Sequence, residues 1–181
     1  MTTRPGQLTS RSRRGFTLIE ILSVVAILGI VSATILPQMS TRDDHRAAAA
    51  SRVVMSDLLY AQNRAIAQQK VHYVAFDVAN GTYRVLDRWL PVNVVKNPVE
   101  GTPYIVQFGT GSASGLKEMK LVTAAFDGSP VLAFDVMGIP QTVDASSGAM
   151  TPLTSGQVVV GSGTFMMTVS VSPYSGELTV E

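Results

Sequence analysis

Cysteine is absent from this chain of 181 residues, so no disulfide framework and no thiolate metal site is available, and any folded part must be held by its own apolar core. Histidine occurs only at His45 and His72, one in a helical pattern and one in a strand pattern, and neither has the companions that a metal site or a catalytic dyad needs. Lys and Arg are missing altogether after Lys120, while Asp127, Asp135, Asp144, Glu177 and Glu181 remain. Such a surface argues against nucleic acid as a partner, because affinity for a polyanion rests on cations that replace phosphate counterions. Gly109, Gly111 and Gly115 do not form a dinucleotide fingerprint, since no helix opens there after a clear strand. Asp77 with Asn80-Gly81 lacks the alternating ligands and closing Glu of a calcium loop and is better explained as a turn. No nucleophile has a base at convincing spacing. The expectation is a protein without catalytic residues, metal or cofactor.

What is present lies at the start of the chain. Arg4, Arg11, Arg13 and Arg14 stand in residues 1–15 with no acid among them; without that segment, 10 of the 14 cations face 13 acids and the net charge is −3. Phe16 to Leu36 then reads FTLIEILSVVAILGIVSATIL, 21 residues of mostly apolar character. As an α-helix this run is about 30 Å long, enough for a hydrocarbon core. The arginines are expected to stay cytoplasmic, which gives a single-pass protein of the cytoplasmic (inner) membrane with everything after Leu36 outside. Glu20 breaks the apolar pattern. A carboxylate at that depth costs a few kcal/mol and needs a partner, which marks it as functional.

Three plainer readings compete. A secretory signal has a shorter apolar region and a small-residue cleavage site, which Val31-Ser32-Ala33 could supply, but Glu20 interrupts that region. An uncleaved anchor would be better served by an apolar residue at that position. A buried helix of a soluble protein leaves the four arginines without a purpose.

The stretch Arg14-Gly15-Phe16-Thr17-Leu18-Ile19-Glu20 resembles the signal of type IV pilins and type II secretion pseudopilins. The resemblance implies that a prepilin peptidase cuts after Gly15 and methylates the new amino terminus at Phe16. It implies further that Glu20 meets the charged terminus of a neighbouring subunit during assembly, and that Gly29 and Pro37 loosen the helix. Both of the last two have a physical reading of their own: glycine weakens a helix interior by about 1 kcal/mol, and proline removes an amide donor. The partners implied are other pilins or pseudopilins, the prepilin peptidase, an inner-membrane assembly platform and membrane lipid.

After Pro37 the chain turns polar and then alanine-rich as far as Lys70. Ala47 to Ala50, Val54, Leu58, Ala61 and Ala65 recur three and four apart, so one stripe can lie against a partner surface. The simplest expectation is one long helix from Phe16 to about Gln69, weakened near Pro37. Beyond Lys70 the period becomes strand-like: Val71 to Val78, the turn Asn80-Gly81 and Thr82 to Leu90 form a hairpin. Residues 91–103, 109–115 and 144–156 read as loops. Further strands are expected at Tyr104 to Phe108, Leu121 to Phe126, Val131 to Phe134, Gln157 to Val160, Phe165 to Val171 and Glu177 to Val180. Trp89 with Tyr83 is either a binding platform or, as is commoner, a cross-strand pair. The fold class expected is α+β, with a long N-terminal helix, transmembrane in its first half and amphipathic in its second, packed on a mainly antiparallel sheet. Its parts are a leader (1–15), a hydrophobic helix (16–37), an amphipathic helix (38–70) and a β-rich head (71–181).

Leu132-Ala133-Phe134-Asp135-Val136-Met137-Gly138-Ile139-Pro140, together with the closing Ser172-Pro173-Tyr174-Ser175-Gly176, is similar to the H-type minor pseudopilins and their FimT-like relatives. This implies a minor subunit at the filament tip or in initiation. Relatives implicated in DNA uptake carry basic residues near the C-terminus, whereas here Glu177 follows the glycine. A DNA-binding tip pilin would have to draw its cations from Arg84, Arg88, Lys96, Lys117 and Lys120. A membrane-anchored domain that never polymerises is the other alternative.

Overall fold

The computed structural model describes residues 15–35, 41–163 and 165–181. Its first element is α1, Leu18–Ile35. Side chains from Phe16 to Ser32 are exposed on every side, and Leu22, Val25, Leu28 and Ile30 are all more than half exposed. A helix that is apolar almost all round has no water-facing side and suits an apolar environment.

Residues 41–181 form one compact unit. It opens with α2, Thr41–Gln68. The alanine-rich stripe is the reason this helix belongs to the head: Ala47, Ala50, Val54, Leu58, Ala61 and Ala65 are all buried, as the three-and-four spacing predicts. Small side chains there let the helix axis approach the sheets closely. The single long helix expected from Phe16 would pass through residues 36–40, Pro37 among them, which lie outside the described residues.

Eleven strands follow among the described residues: β1 His72–Asp77, β2 Thr82–Arg88, β3 Asn93–Val94, β4 Ile105–Gln107, β5 Lys120–Phe126, β6 Val131–Phe134, β7 Pro140–Val143, β8 Met150–Pro152, β9 Gly156–Ser162, β10 Phe165–Val171 and β11 Leu178–Val180. They make two sheets, in the orders β3-β2-β1-β6-β7-β8 and β11-β10-β9-β5, with β4 also paired to β2. Every pairing is antiparallel. The architecture is α+β, a helix on a mainly antiparallel sheet domain.

The main core lies where α2 meets both sheets. Val74 and Phe76 of β1, Tyr83 and Val85 of β2 and Leu132 and Phe134 of β6 point to it from the first sheet; Phe126, Val158, Val160 and Val169 point to it from the second. Alternate residues of the first sheet face the other way, so Ala75, Leu86, Val131, Ala133 and Val143 build a smaller second core with Trp89 against it. Both faces being covered explains why β1 and β6 read as continuous apolar runs rather than as an alternation.

Several expectations need correction. The loop of residues 91–103 contains β3 and a bridge between Lys96 and Pro103. The loop of residues 109–115 is largely wound into short 3₁₀ turns over Gly111–Leu116 that bury Ala113 and Leu116. The loop of residues 144–156 contains β8, and β7 was not foreseen. Neither strand has a β-branched run: β7 begins with Pro140, tolerated at a first position, and β8 carries Pro152 on a free edge. Pairing of β7 to β6, and of β8 to β7, makes them strands, which local propensity does not show. Tyr83 and Trp89 are not partners, since Tyr83 is in the main core and Trp89 covers the opposite face.

Candidate functional site

Gly15, Phe16 and Glu20 lie together at the start of α1, and all three are exposed. Phe16, at 78% exposure, precedes the first helical turn. Thr17 caps the helix: its Oγ1 accepts the Glu20 amide at 3.3 Å, and its carbonyl accepts the amides of Glu20 and Ile21 at 3.1 and 3.2 Å. Glu20 therefore stands at the third helical position, in the Thr-x-x-Glu spacing of a capping box, where an acid is favoured by the helix dipole. A carboxylate that interrupts an apolar run is thus compatible with a helix that starts at Leu18. The hydroxyls farther along are satisfied locally, Ser23 donating to the Ile19 carbonyl at 2.8 Å and Ser32 to that of Leu28 at 2.7 Å. Gly29 lies within α1, with no atom near the position a Cβ would take. Pro37 is outside the described residues.

Among the described residues no helix is long and apolar enough to cross a membrane. At 18 residues, α1 measures about 27 Å, a little short of a bilayer core. The expected span of 21 residues reaches Leu36, beyond the described part.

In the head, the two turns that carry the second resemblance meet on one side chain of α2. Asp135 shapes the first, its Oδ1 accepting the amides of Met137 and Ile139, both at 2.8 Å, while Gly138 takes φ +81°. Gly176 closes the second at φ +66°, its amide bonded to the Ser172 carbonyl at 3.0 Å. Gln62 Nε2 donates to the Gly138 carbonyl at 2.9 Å and to that of Ser175 at 3.4 Å. A Cβ on Gly176 would lie 2.4 Å from that same nitrogen, so any other residue would displace the Gln62 amide, and the left-handed backbone independently favours glycine. Phe134, fully buried, sits at the base of the first turn.

A second polar cluster ties α2 to the first sheet. Asp57 is 8% exposed, and its carboxylate accepts the hydroxyls of Tyr83 at 2.5 Å and Tyr104 at 2.9 Å. Burial raises the Asp57 pKa, the tyrosine hydrogen bonds opposing it. Burial beside this acid raises both tyrosines as well, so each remains a donor. Tyr60 stacks on Tyr104 at 5.1 Å and accepts from Arg64 Nη1 at 2.8 Å. Arg64 Nε in turn donates to His72 Nε2 at 3.1 Å; as a guanidinium only donates, that nitrogen must be the acceptor, and Nδ1 carries the proton toward the Lys70 carbonyl at 2.9 Å. Burial lowers the His72 pKa; the hydrogen bond to the Lys70 carbonyl and the Asp87 charge oppose it, while the Arg64 and Lys70 charges act in its direction. His72 has a structural role, holding the junction between α2 and β1. Asp57 has one sequence signal, an acid three residues after Val54 and four before Ala61, inside an otherwise apolar stripe. Gln62 has none.

No group of three or more His, Asp or Glu able to hold a metal occurs among the described residues. Of the cations a nucleic acid would need, Arg84 and Arg88 lie on β2 and Lys120 on β5 of the other sheet.

The family model for the prokaryotic N-terminal methylation motif matches residues 10–36. No curated protein and no solved structure matches the chain. Residues 10–36 therefore carry a type IV pilin-like prepilin signal, the same stretch that holds Gly15, the capped Phe16–Glu20 turn and α1.

Proposed function

We propose that this chain is a minor pilin or pseudopilin, a structural subunit of a type IV pilus-like filament or type II secretion pseudopilus. The methylation motif carries the proposal, because it joins a basic leader, Gly15-Phe16 and Glu20 to an apolar helix. In this reading the precursor enters the inner membrane with its arginines inside, and prepilin peptidase removes residues 1–15 and methylates Phe16. The span runs from Phe16 to Leu36, and an assembly platform later draws the chain into a bundle of similar helices.

The physical support is the mismatch between α1 and water. An all-apolar helix bearing a single acid gains most in an apolar bundle that supplies a cation for that acid, since an unpaired buried charge is expensive whereas a paired one can set register. The amino group freed at Phe16 of a neighbouring subunit is such a cation. Placement in the H-type or FimT-like group, at the tip or in initiation, is supported by the two motif turns meeting at Gln62. The absence of Lys and Arg after Lys120 supports protein rather than nucleic-acid contacts. The test is mass spectrometry of the mature N-terminus from the native host. Methylated Phe16 is expected; an N-terminus at Met1 or Thr34 would refute it.

A further inference from the structure

The turn between β1 and β2 holds an Asn-Gly pair whose chemistry the filament role does not use. Asn80 is exposed, and Gly81 takes φ +62° with open space around it. This is the dipeptide in which a backbone amide most readily attacks a side-chain amide, because glycine offers no side chain to obstruct it. The chain's other asparagines are poor counterparts: Asn63 precedes Arg64, Asn93 precedes Val94, and Asn97 precedes Pro98, which has no N–H.

We propose that Asn80-Gly81 is a site of slow spontaneous deamidation, restrained in the folded protein by the Asp77 carboxylate. Asp77 Oδ2 accepts the Asn80 side-chain amide at 2.7 Å and Oδ1 accepts its backbone amide at 3.1 Å. The would-be nucleophile is occupied too, the Gly81 N–H donating to the Val78 carbonyl at 3.2 Å. Ring closure therefore requires that Asn80 leave Asp77 and that Gly81 leave Val78. The hydrogen bonds from Asn80 lower the Asp77 pKa, so the restraint is in its charged, stronger form at neutral pH.

Once released, the Gly81 nitrogen gives its proton to solvent base and attacks Asn80 Cγ. A C–N bond forms, the bond from Cγ to the amide nitrogen breaks, and ammonia leaves a succinimide. Water then opens the ring at one carbonyl or the other, giving aspartate or isoaspartate. The net reaction consumes one water and releases one ammonia, with no redox partner. Either product replaces the donor that Asp77 held with a second carboxylate, and isoaspartate adds a methylene to the main chain of the turn. The pairing of Asp77 with Thr82 is lost, and the loosening reaches the Phe76–Tyr83 rung, whose rings lie 5.3 Å apart at the edge of the main core. The site thus gives the head a built-in clock.

The experiment follows isoaspartate and aspartate at position 80 by peptide mass spectrometry, in the full-length chain kept in detergent micelles in mildly alkaline buffer. The same chain unfolded in urea sets the upper limit. Slow conversion is expected in the native protein and about tenfold faster conversion in Asp77→Ala, the size expected for loss of a charge-assisted hydrogen bond. Equal rates in wild type and a folded Asp77→Ala, or equal rates in native and urea-unfolded wild type, would overturn the proposal. So would no conversion in urea. Circular dichroism checks the fold; should Asp77→Ala be unfolded, Asp77→Asn decides, since its remaining acceptor predicts a rate between the two, and a rate equal to wild type refutes the restraint.

Discussion

Replacing Asp57 by alanine removes the acceptor for two buried hydroxyls, those of Tyr83 and Tyr104. Each orphaned hydroxyl costs about 1–3 kcal/mol, and release of a desolvated carboxylate offsets part of the sum, so a net loss of about 3 kcal/mol at neutral pH is expected. The pH dependence separates the two contributions. Burial raises the folded pKa above the ordinary 3.8, so the folded state holds its proton over a range where the unfolded state has released it. The contribution of Asp57 to stability is then greatest below 3.8 and declines as pH rises through the folded pKa. Urea unfolding of wild type and Asp57→Ala, followed through Trp89 as the only tryptophan, should accordingly give a larger difference in acid than at neutrality. A difference that grows with pH would mean that the tyrosine donors outweigh burial, and the reasoning fails.

His72 gives the opposite slope. Its folded pKa lies below 6.5, so its contribution is complete above 6.5 and is lost as pH falls from there through the folded value; in wild type this slope should be visible by urea titration and in His72→Gln it should flatten. Gly176→Ala should lower stability by about 2 kcal/mol, from the left-handed backbone plus displacement of the Gln62 amide from its two carbonyl acceptors, and thermal unfolding measures it. Gly81→Ala, with a similar φ but open space, should cost only about 1 kcal/mol in the same assay. Glu20→Ala should still be inserted and processed yet fail to enter filaments; incorporation at the wild-type level, read by immunoblot of sheared fibres, would remove the assembly role.

The legible parts of this molecule are those in which one short stretch contains its own explanation. The stripe from Ala47 to Ala65 announces a helix with one buried face, and it is buried. Val131–Phe134 and Phe165–Val171 are strands with the limits expected, and Asn80-Gly81 sits in the turn between β1 and β2. What escaped reading depends on residues far apart. Gln62 finds its acceptors 76 and 113 residues away, and Asp57 finds its donors 26 and 47 residues away, so no window of sequence contains either cluster. β7 and β8 escaped for the same reason, since their strand character comes from a neighbour. At the other end of the chain the signal was local, and Thr17 to Glu20 added a cap that the motif alone does not mention.

The burial of α2 along its length has a mechanical consequence. Its buried stripe runs from Ala47 to Ala65, about 27 Å, and rests on strands of both sheets, so a pull applied at the start of α2 and directed along the helix axis acts along the stripe rather than across it. Packed rows loaded in this direction must shear together; they cannot peel one rung at a time. The sheet hairpins, by contrast, are tied end to end by turns and would open like a zip if tension reached them first. With α2 taking the load along its buried face, the head keeps its fold under a pull that would open the hairpins one rung at a time.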